Sequence, residues 1–127
     1  GHRLGNHTYN HLSGHLHGIR SYVRNVERAN YYLHTNLFRP PHGWMKWTQY
    51  YALLSRYRIV MWDVVTRDYS RRLTAADVLN NVKRYARPGS IITFHDSLKS
   101  IDKLRTALPA AIEWLRDENY TFKVFDE

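Results

Sequence analysis

Three histidines stand four residues apart near the start of the sequence, at positions His7, His11 and His15. Imidazole nitrogens bind zinc and other divalent transition metals, and side chains four residues apart share one face of a helix. If this segment is helical, His7 and His11 can hold one ion, whereas His15 lies about 12 Å from His7 along the axis. Chance is the alternative, because the chain has 8 histidines in 127 residues. Spacing alone leaves both interpretations open.

A second group of polar residues follows apolar runs that are typical of strands. Arg39 precedes two prolines, and such a stiff loop can present its guanidinium to a carboxylate and the backbone N–H of His42 to a substrate oxygen. His95 follows the run SIITF, where a carboxylate could orient it as a general acid or base. Asp63 and Asp68 flank the run VVTR, and either could orient a histidine or an arginine. A surface loop is the alternative for Arg39 and His95, and an N-cap or a solvated loop carboxylate is the alternative for the two aspartates.

Aromatic side chains stand near the ends of the same runs. Trp62, Tyr69 and Phe94 could form a wall on which a sugar ring stacks. Core packing is the alternative, and it is the commoner role of such residues.

The elements that must position these residues alternate between helix and strand. Helical periodicity predicts helices over residues 19–33, 44–57, 73–86 and 100–120. Thr74 is the expected N-cap of the third helix, and Pro109 marks a kink or restart in the fourth. Strands are predicted at 36–41, 57–62, 90–94 and 121–125, with YRIVMW buried on both faces. This alternation indicates an α/β fold with parallel strands.

Composition limits the classes of function. The length suits one domain over residues 1–127, and the absence of cysteine excludes thiolate catalysis, thiolate metal sites and disulfides within the chain. A net charge of +8 would attract anions, but the basic residues are spread out and form no nucleic-acid motif. We therefore expect a solvated basic surface, no nucleic-acid partner and no membrane span.

Four segments resemble, in order, the motifs of the polysaccharide deacetylases, also described as the NodB-homology domain or carbohydrate esterase family 4. GNHTYNH is similar to the zinc motif H-S/T-x-x-H, and FRPPHG to the loop R-x-P-Y/F-G. WDVVTRDY resembles D-x-x-D-W, and GSIITFHDS resembles the final L-x-x-H segment. The chain departs from the pattern where His42 replaces Tyr or Phe, Val65 replaces the first Asp of the third motif, and Tyr69 replaces Trp.

The resemblance implies a partial, distorted parallel β/α barrel of the NodB-homology type that lacks its first β-α unit. It implies a metal-dependent hydrolase that removes acetyl groups from N-acetylated or O-acetylated polysaccharide and releases acetate. The implied metal is zinc or another divalent transition metal, held by His7 and His11. The implied catalytic residues are His95, Asp68, Arg39 and, through its backbone N–H, His42. The implied substrate-binding residues are Pro41, Tyr69, Trp62 and Phe94.

One family motif has no counterpart in the sequence. T-F-D-D-G, which supplies the catalytic base and a carboxylate ligand to zinc, would lie upstream of His7. We therefore expect a truncated or degenerate copy, whose activity on its own is open, and self-association through an exposed sheet edge. The alternatives are a catalytically dead carbohydrate-binding module and a basic nucleic-acid-binding protein. The resemblance implies an extracytoplasmic or cell-envelope location for the full-length protein.

Overall fold

The computed structural model describes residues 1–125, which contain helices and short strands that pair in parallel. In chain order the elements are α1 (Ile19–Leu33), β1 (Leu37–Phe38), a 3₁₀ turn (Pro41–Gly43), α2 (Trp47–Leu54), β2 (Arg58–Ile59), β3 (Val64–Val65), α3 (Ala75–Tyr85), β4 (Ile92–Thr93) and α4 (Ile101–Asp117). The predicted α/β class with parallel strands is confirmed. Within the described range, no helix has the length and apolar character needed to cross a membrane.

The first of two compact units comprises Gly1–Met61 and the described residues from Val124 onwards. Its strands β1 and β2 pair in parallel, with Phe38 opposite Ile59. The amphipathic helix α1 turns its apolar stripe inwards, as its periodicity predicts. The buried core of this unit consists of Tyr22, Val26, Phe38, Leu53 and Tyr57. The chain that follows β1 is therefore attached to a strand packed in the core.

The second unit, Trp62–Lys123, pairs β3 with β4 in parallel and packs α3 against α4. Thr74 begins α3 as predicted, because its hydroxyl accepts a hydrogen bond from the Asp77 N–H at 3.2 Å. The Asp77 carboxylate in turn accepts from the Thr74 N–H at 2.8 Å, which completes a capping box. Val82, Ala111 and Leu115 form the buried core between the two helices.

Three expectations for individual elements are wrong or need refinement. The run YRIVMW contributes only a two-residue strand, in which Arg58 is exposed and Ile59 half-buried, because β2 pairs on one side alone in the described chain. Residues 121–125 form no strand, since they make no ladder with any strand in residues 1–125. Helix α4 runs through Pro109 as one helix, and the missing N–H lies at an exposed position.

The core of the first unit contains a polar atom whose removal should stabilise the protein. Tyr22 is fully buried, and its hydroxyl has no hydrogen-bond partner in the described residues. Burial also raises the pKa of this phenol to about 12. We expect Tyr22→Phe to increase the free energy of unfolding by about 1 kcal/mol, because an unpaired buried hydroxyl is costly.

Tyr57→Phe is the matched control, because the Tyr57 hydroxyl donates to Glu27 at 3.3 Å in the same core. This variant should lose stability. Urea denaturation followed by circular dichroism measures both changes. A loss of stability in Tyr22→Phe would mean that the hydroxyl has a partner in solution.

Candidate functional site

The backbone at His7 is fixed beside the end of β1 by the buried residue Asn6. The Asn6 N–H donates to the carbonyl of Leu37 at 2.8 Å, and the Asn6 carbonyl accepts from the Arg39 N–H at 2.9 Å. The Asn6 side chain donates to the Val26 carbonyl in α1 at 2.9 Å. These bonds satisfy polar groups at the edge of a short strand and hold the histidine segment against the core.

A loop, and not a helical turn, brings His7 and His11 together. Thr8 and His11 have φ values of 63° and 56°, a left-handed conformation that residues other than glycine rarely adopt. The Thr8 hydroxyl accepts a hydrogen bond from the Leu12 N–H at 2.7 Å and so closes the loop. The ring centroids of His7 and His11 are 4.9 Å apart. The helical premise is therefore wrong, although the two side chains do meet.

His7 is held in the state that a metal ligand needs. Its Nδ1 lies 2.7 Å from the Arg39 carbonyl oxygen, which can only accept, so Nδ1 carries the proton and Nε2 keeps its lone pair. Burial lowers the pKa of His7; the hydrogen bond to Arg39 opposes this, and the positive charges of His11, Arg39 and His42 add to it. The net direction is downwards, which favours the neutral imidazole.

The turn after β1 carries His42 towards the same pair. The Gly43 N–H donates to the Pro40 carbonyl at 3.0 Å, and the Trp44 N–H to the Pro41 carbonyl at 3.3 Å. His42 itself has a φ of 59°, and its ring centroid is 4.8 Å from that of His11. His15, the third histidine of the opening segment, contacts the ring of Trp44 and does not join His7 and His11, as expected.

Arg39 links the ends of the two strands in the first unit. Its Nε donates to the Val60 carbonyl at 3.0 Å, and one terminal nitrogen donates to the Met61 carbonyl at 3.1 Å. Burial lowers the pKa of Arg39. The guanidinium thus binds backbone carbonyls that follow β2, and its expected role towards a carboxylate base stays a prediction.

In the second unit, Asp68 and His95 form a hydrogen-bonded pair. Asp68 is fully buried, and its Oδ1 lies 2.7 Å from His95 Nδ1. The same carboxylate accepts from the backbone N–H groups of His95 at 2.6 Å and Tyr69 at 3.1 Å. Because the carboxylate accepts from Nδ1, His95 Nε2 is the nitrogen left for proton exchange, and this side chain is 42% exposed.

The other candidate carboxylate, Asp63, has a structural role. It accepts from the Ile91 N–H at 2.8 Å and from the Ser90 hydroxyl at 3.0 Å, and it forms an ion pair with Arg87 at 3.3 Å. These contacts tie the start of β3 to the loop before β4.

Sequence reasoning missed Lys103, which holds the loop after β3 from the first turn of α4. Its Nζ donates to the carbonyl oxygen of Asp68 at 2.7 Å and also to that of Ser70. A signal for it exists, because Lys103 lies on the helix stripe that includes buried Ser100 and Ala107. A lysine at such a position needs polar partners.

The four expected substrate-binding residues differ in their surroundings. Tyr69 is 44% exposed, and its ring stands edge-on to His95 at 5.0 Å. Phe94 packs against the core of the second unit, which favours the core alternative for this residue. Pro41 is buried and Trp62 half-buried. Of the four, Tyr69 offers the most accessible ring.

The chemistry of two neighbouring histidines is compatible with metal binding. His7 and His11 fit two ligand positions through their chemistry and their proximity. Across residues 1–125, no group of three histidine, aspartate or glutamate side chains is already gathered where it could hold an ion.

Known structures match the chain, although no family model and no curated protein sequence does. The Bc1960 peptidoglycan N-acetylglucosamine deacetylase matches with a TM-score of 0.78 and 28% identity, over 97% of this chain and 61% of its own. The Xyl-CE4 domain of a multidomain xylanase from the hindgut metagenome of Trinervitermes trinervoides matches with a TM-score of 0.76 and 25% identity, over 94% and 60%. The chain is a structural match to the CE4 polysaccharide deacetylases.

This CE4 match covers nearly all of the chain but only about 60% of the deacetylases' own length, so the chain corresponds to part of such a domain. A CE4 pseudoenzyme from Bacillus anthracis also matches, with a TM-score of 0.71 and 26% identity over 92% of this chain and 42% of its own. The fold alone therefore does not decide between an enzyme and an inactive relative.

The Asp68–His95 pair should contribute measurably to stability. Asp68→Ala leaves the N–H groups of His95 and Tyr69 without their acceptor, and we expect the free energy of unfolding to fall by about 2–3 kcal/mol. Asp96→Ala, at an exposed position next to His95, should change it by less than about 0.5 kcal/mol. Urea denaturation measures both. Equal losses in the two variants would contradict the hydrogen bonding described for Asp68.

Proposed function

We propose that the protein is a metal-dependent hydrolase that removes acetyl groups from N-acetylated or O-acetylated polysaccharide and releases acetate. The observation that carries this proposal is the buried Asp68 carboxylate bound to Nδ1 of His95, in a fold that matches CE4 deacetylases. The pairing of His7 with His11 supports a metal-dependent reaction. The peptidoglycan deacetylase among the matched structures suggests N-acetylglucosamine polymers as the first substrates to test.

His95 and Asp68 have complementary roles in the proposed reaction. His95 Nε2 gives a proton to the leaving amine or alkoxide, and the buried Asp68 carboxylate stabilises the imidazolium before that transfer. Lys103 positions Asp68 by holding its backbone carbonyl. Tyr69, beside His95, offers a ring for sugar stacking.

His7 and His11 are the residues that would hold the metal, zinc or another divalent transition metal. When bound, such an ion supplies Lewis-acid polarisation of the acetyl carbonyl and lowers the pKa of a water. The backbone N–H of His42 is proposed to donate to the oxygen that becomes negative during attack. The Arg39 guanidinium binds a backbone carbonyl that follows β2. The backbone carbonyl of Arg39 accepts from His7 Nδ1 and so orients that ring.

The finer fold proposal is a single deacetylase-like domain over residues 1–127, a distorted barrel of the NodB-homology type without its first β-α unit. Its support is the match to about 61% of the length of the peptidoglycan deacetylase, together with parallel pairing of the short strands.

A catalytically inactive carbohydrate-binding protein is the second candidate function. The match to a CE4 pseudoenzyme favours it, as does the lack of a ready-made three-ligand group in residues 1–125. Such a protein would bind glycans through exposed aromatic rings without releasing acetate.

Acetate release tests the proposed activity and separates the two candidates. The substrates are acetylated peptidoglycan, chitin oligomers and acetylated xylan, each with added zinc. We expect kcat to fall by about 100-fold or more in His95→Ala, since a positioned general acid contributes that much, while zinc binding is retained.

Asp96→Ala is the control and should keep full turnover. Turnover retained in His95→Ala would contradict the role of His95. Glycan binding by the unaltered chain without any acetate would support the second candidate instead.

A further inference from the structure

We propose that His42 is a third protein ligand in the metal site of His7 and His11, so that the ion is held by three imidazoles. The proposal rests on the proposed function, whose metal site it completes. It assigns a chemical role to position 42, where this sequence has His in place of the Tyr or Phe of the R-x-P-Y/F-G loop. All three residues belong to the first compact unit.

Two of the ring separations, each measured from His11, fit a shared ion. With a metal–nitrogen distance of about 2.0–2.1 Å, an ion lies roughly 3.2 Å from the centroid of each bound imidazole, and tetrahedral geometry then separates two bound rings by about 5 Å. The centroids are 4.9 Å apart for His7 and His11 and 4.8 Å apart for His11 and His42. His11 therefore stands between two rings at the expected separation.

In the described residues the three nitrogens do not already converge on one point, so sharing an ion requires the rings to turn. His7 is oriented by the Arg39 carbonyl, and His11 and His42 are exposed, so turning these two rings does not displace the core. Hydrogen bonding of a ligand histidine to a carbonyl is typical of the surroundings of a metal centre.

The backbone around the three histidines is strained. Outside glycine, positive φ values occur in residues 1–125 at Thr8, His11, His34, His42, Arg67 and Asn119. Three of these six, Thr8, His11 and His42, lie in the two loops that present the rings. Such conformations persist where the surroundings impose them, and they cluster at binding sites.

The chemistry of the ligands defines the metal. Three imidazoles with a further position open for water or substrate form a common catalytic zinc arrangement. Imidazole suits zinc, cobalt and nickel, whereas magnesium and calcium prefer oxygen ligands. The site should therefore bind zinc and cobalt and show no measurable binding of magnesium.

Metal titration of the unaltered chain beside His42→Asn tests the proposal without any activity assay. Asparagine tolerates a positive φ but lacks the imidazole. We expect zinc affinity by calorimetry to fall about tenfold or more, 1.4 kcal/mol per tenfold. The visible absorption of bound cobalt should change as one nitrogen ligand is lost. His15→Asn is the control, because His15 is exposed and contacts Trp44, and it should keep the affinity of the unaltered chain.

The outcomes separate this inference from the proposed function. Zinc binding that is abolished in His7→Ala but unchanged in His42→Asn would overturn the role of His42 and leave the two-histidine site intact. No zinc binding by the unaltered chain would overturn the inference and remove the metal basis of the proposed function as well. Thermal unfolding of the metal-free variants checks their folding, and His42→Gly, which accepts the φ of 59° freely, serves if His42→Asn does not fold.

Discussion

The burial of the Asp68 carboxylate is the constraint on which the second unit depends. A charge removed from water must be compensated by hydrogen bonds, and Asp68 receives them from the backbone N–H and the ring of His95 and from the Tyr69 N–H. These bonds fix the chain beyond β4 relative to the chain beyond β3. Lys103 in α4 also donates to the backbone carbonyl of Asp68, so this one residue connects the segments after β3 and β4 with α4.

The first unit uses side chains to satisfy its backbone polar groups, two of them neutral and one a charged guanidinium. Two-residue strands leave most neighbouring backbone polar groups without a ladder partner, and side chains must satisfy them. Asn6 bonds to α1, Thr8 closes the histidine loop, and Arg39 binds carbonyls beyond β2. The orientation of His7 follows from this network, because its partner is a carbonyl that the network already holds in place. The candidate ligand geometry is thus a consequence of backbone satisfaction.

Helices were predictable from the sequence, and the loops that carry chemistry were not. The stripe of α1 and the capping residues of α3 are local signals, which require no knowledge of neighbours. The conformation between His7 and His11 depends on Thr8 and on distant partners such as the Arg39 carbonyl. Helical spacing therefore predicted that the two rings are neighbours, although the segment is not helical. Strand burial depends on how many neighbours a strand has, which explains why YRIVMW was expected to be more buried than it is.

Stability alone does not account for the Asp68–His95 pair. A buried charge bound to a partner is often no more stabilising than apolar residues of similar volume, because desolvation offsets much of the attraction. Here the carboxylate is completely buried, yet the histidine that it binds is 42% exposed, so the pair holds a titratable ring at the surface with one nitrogen fixed. A group that needed only to join two loops could use neutral hydrogen bonds, as Thr66 does when its hydroxyl donates to the Thr93 carbonyl in the same unit. An oriented, accessible imidazole is instead the arrangement that proton transfer requires, which is the role proposed for His95.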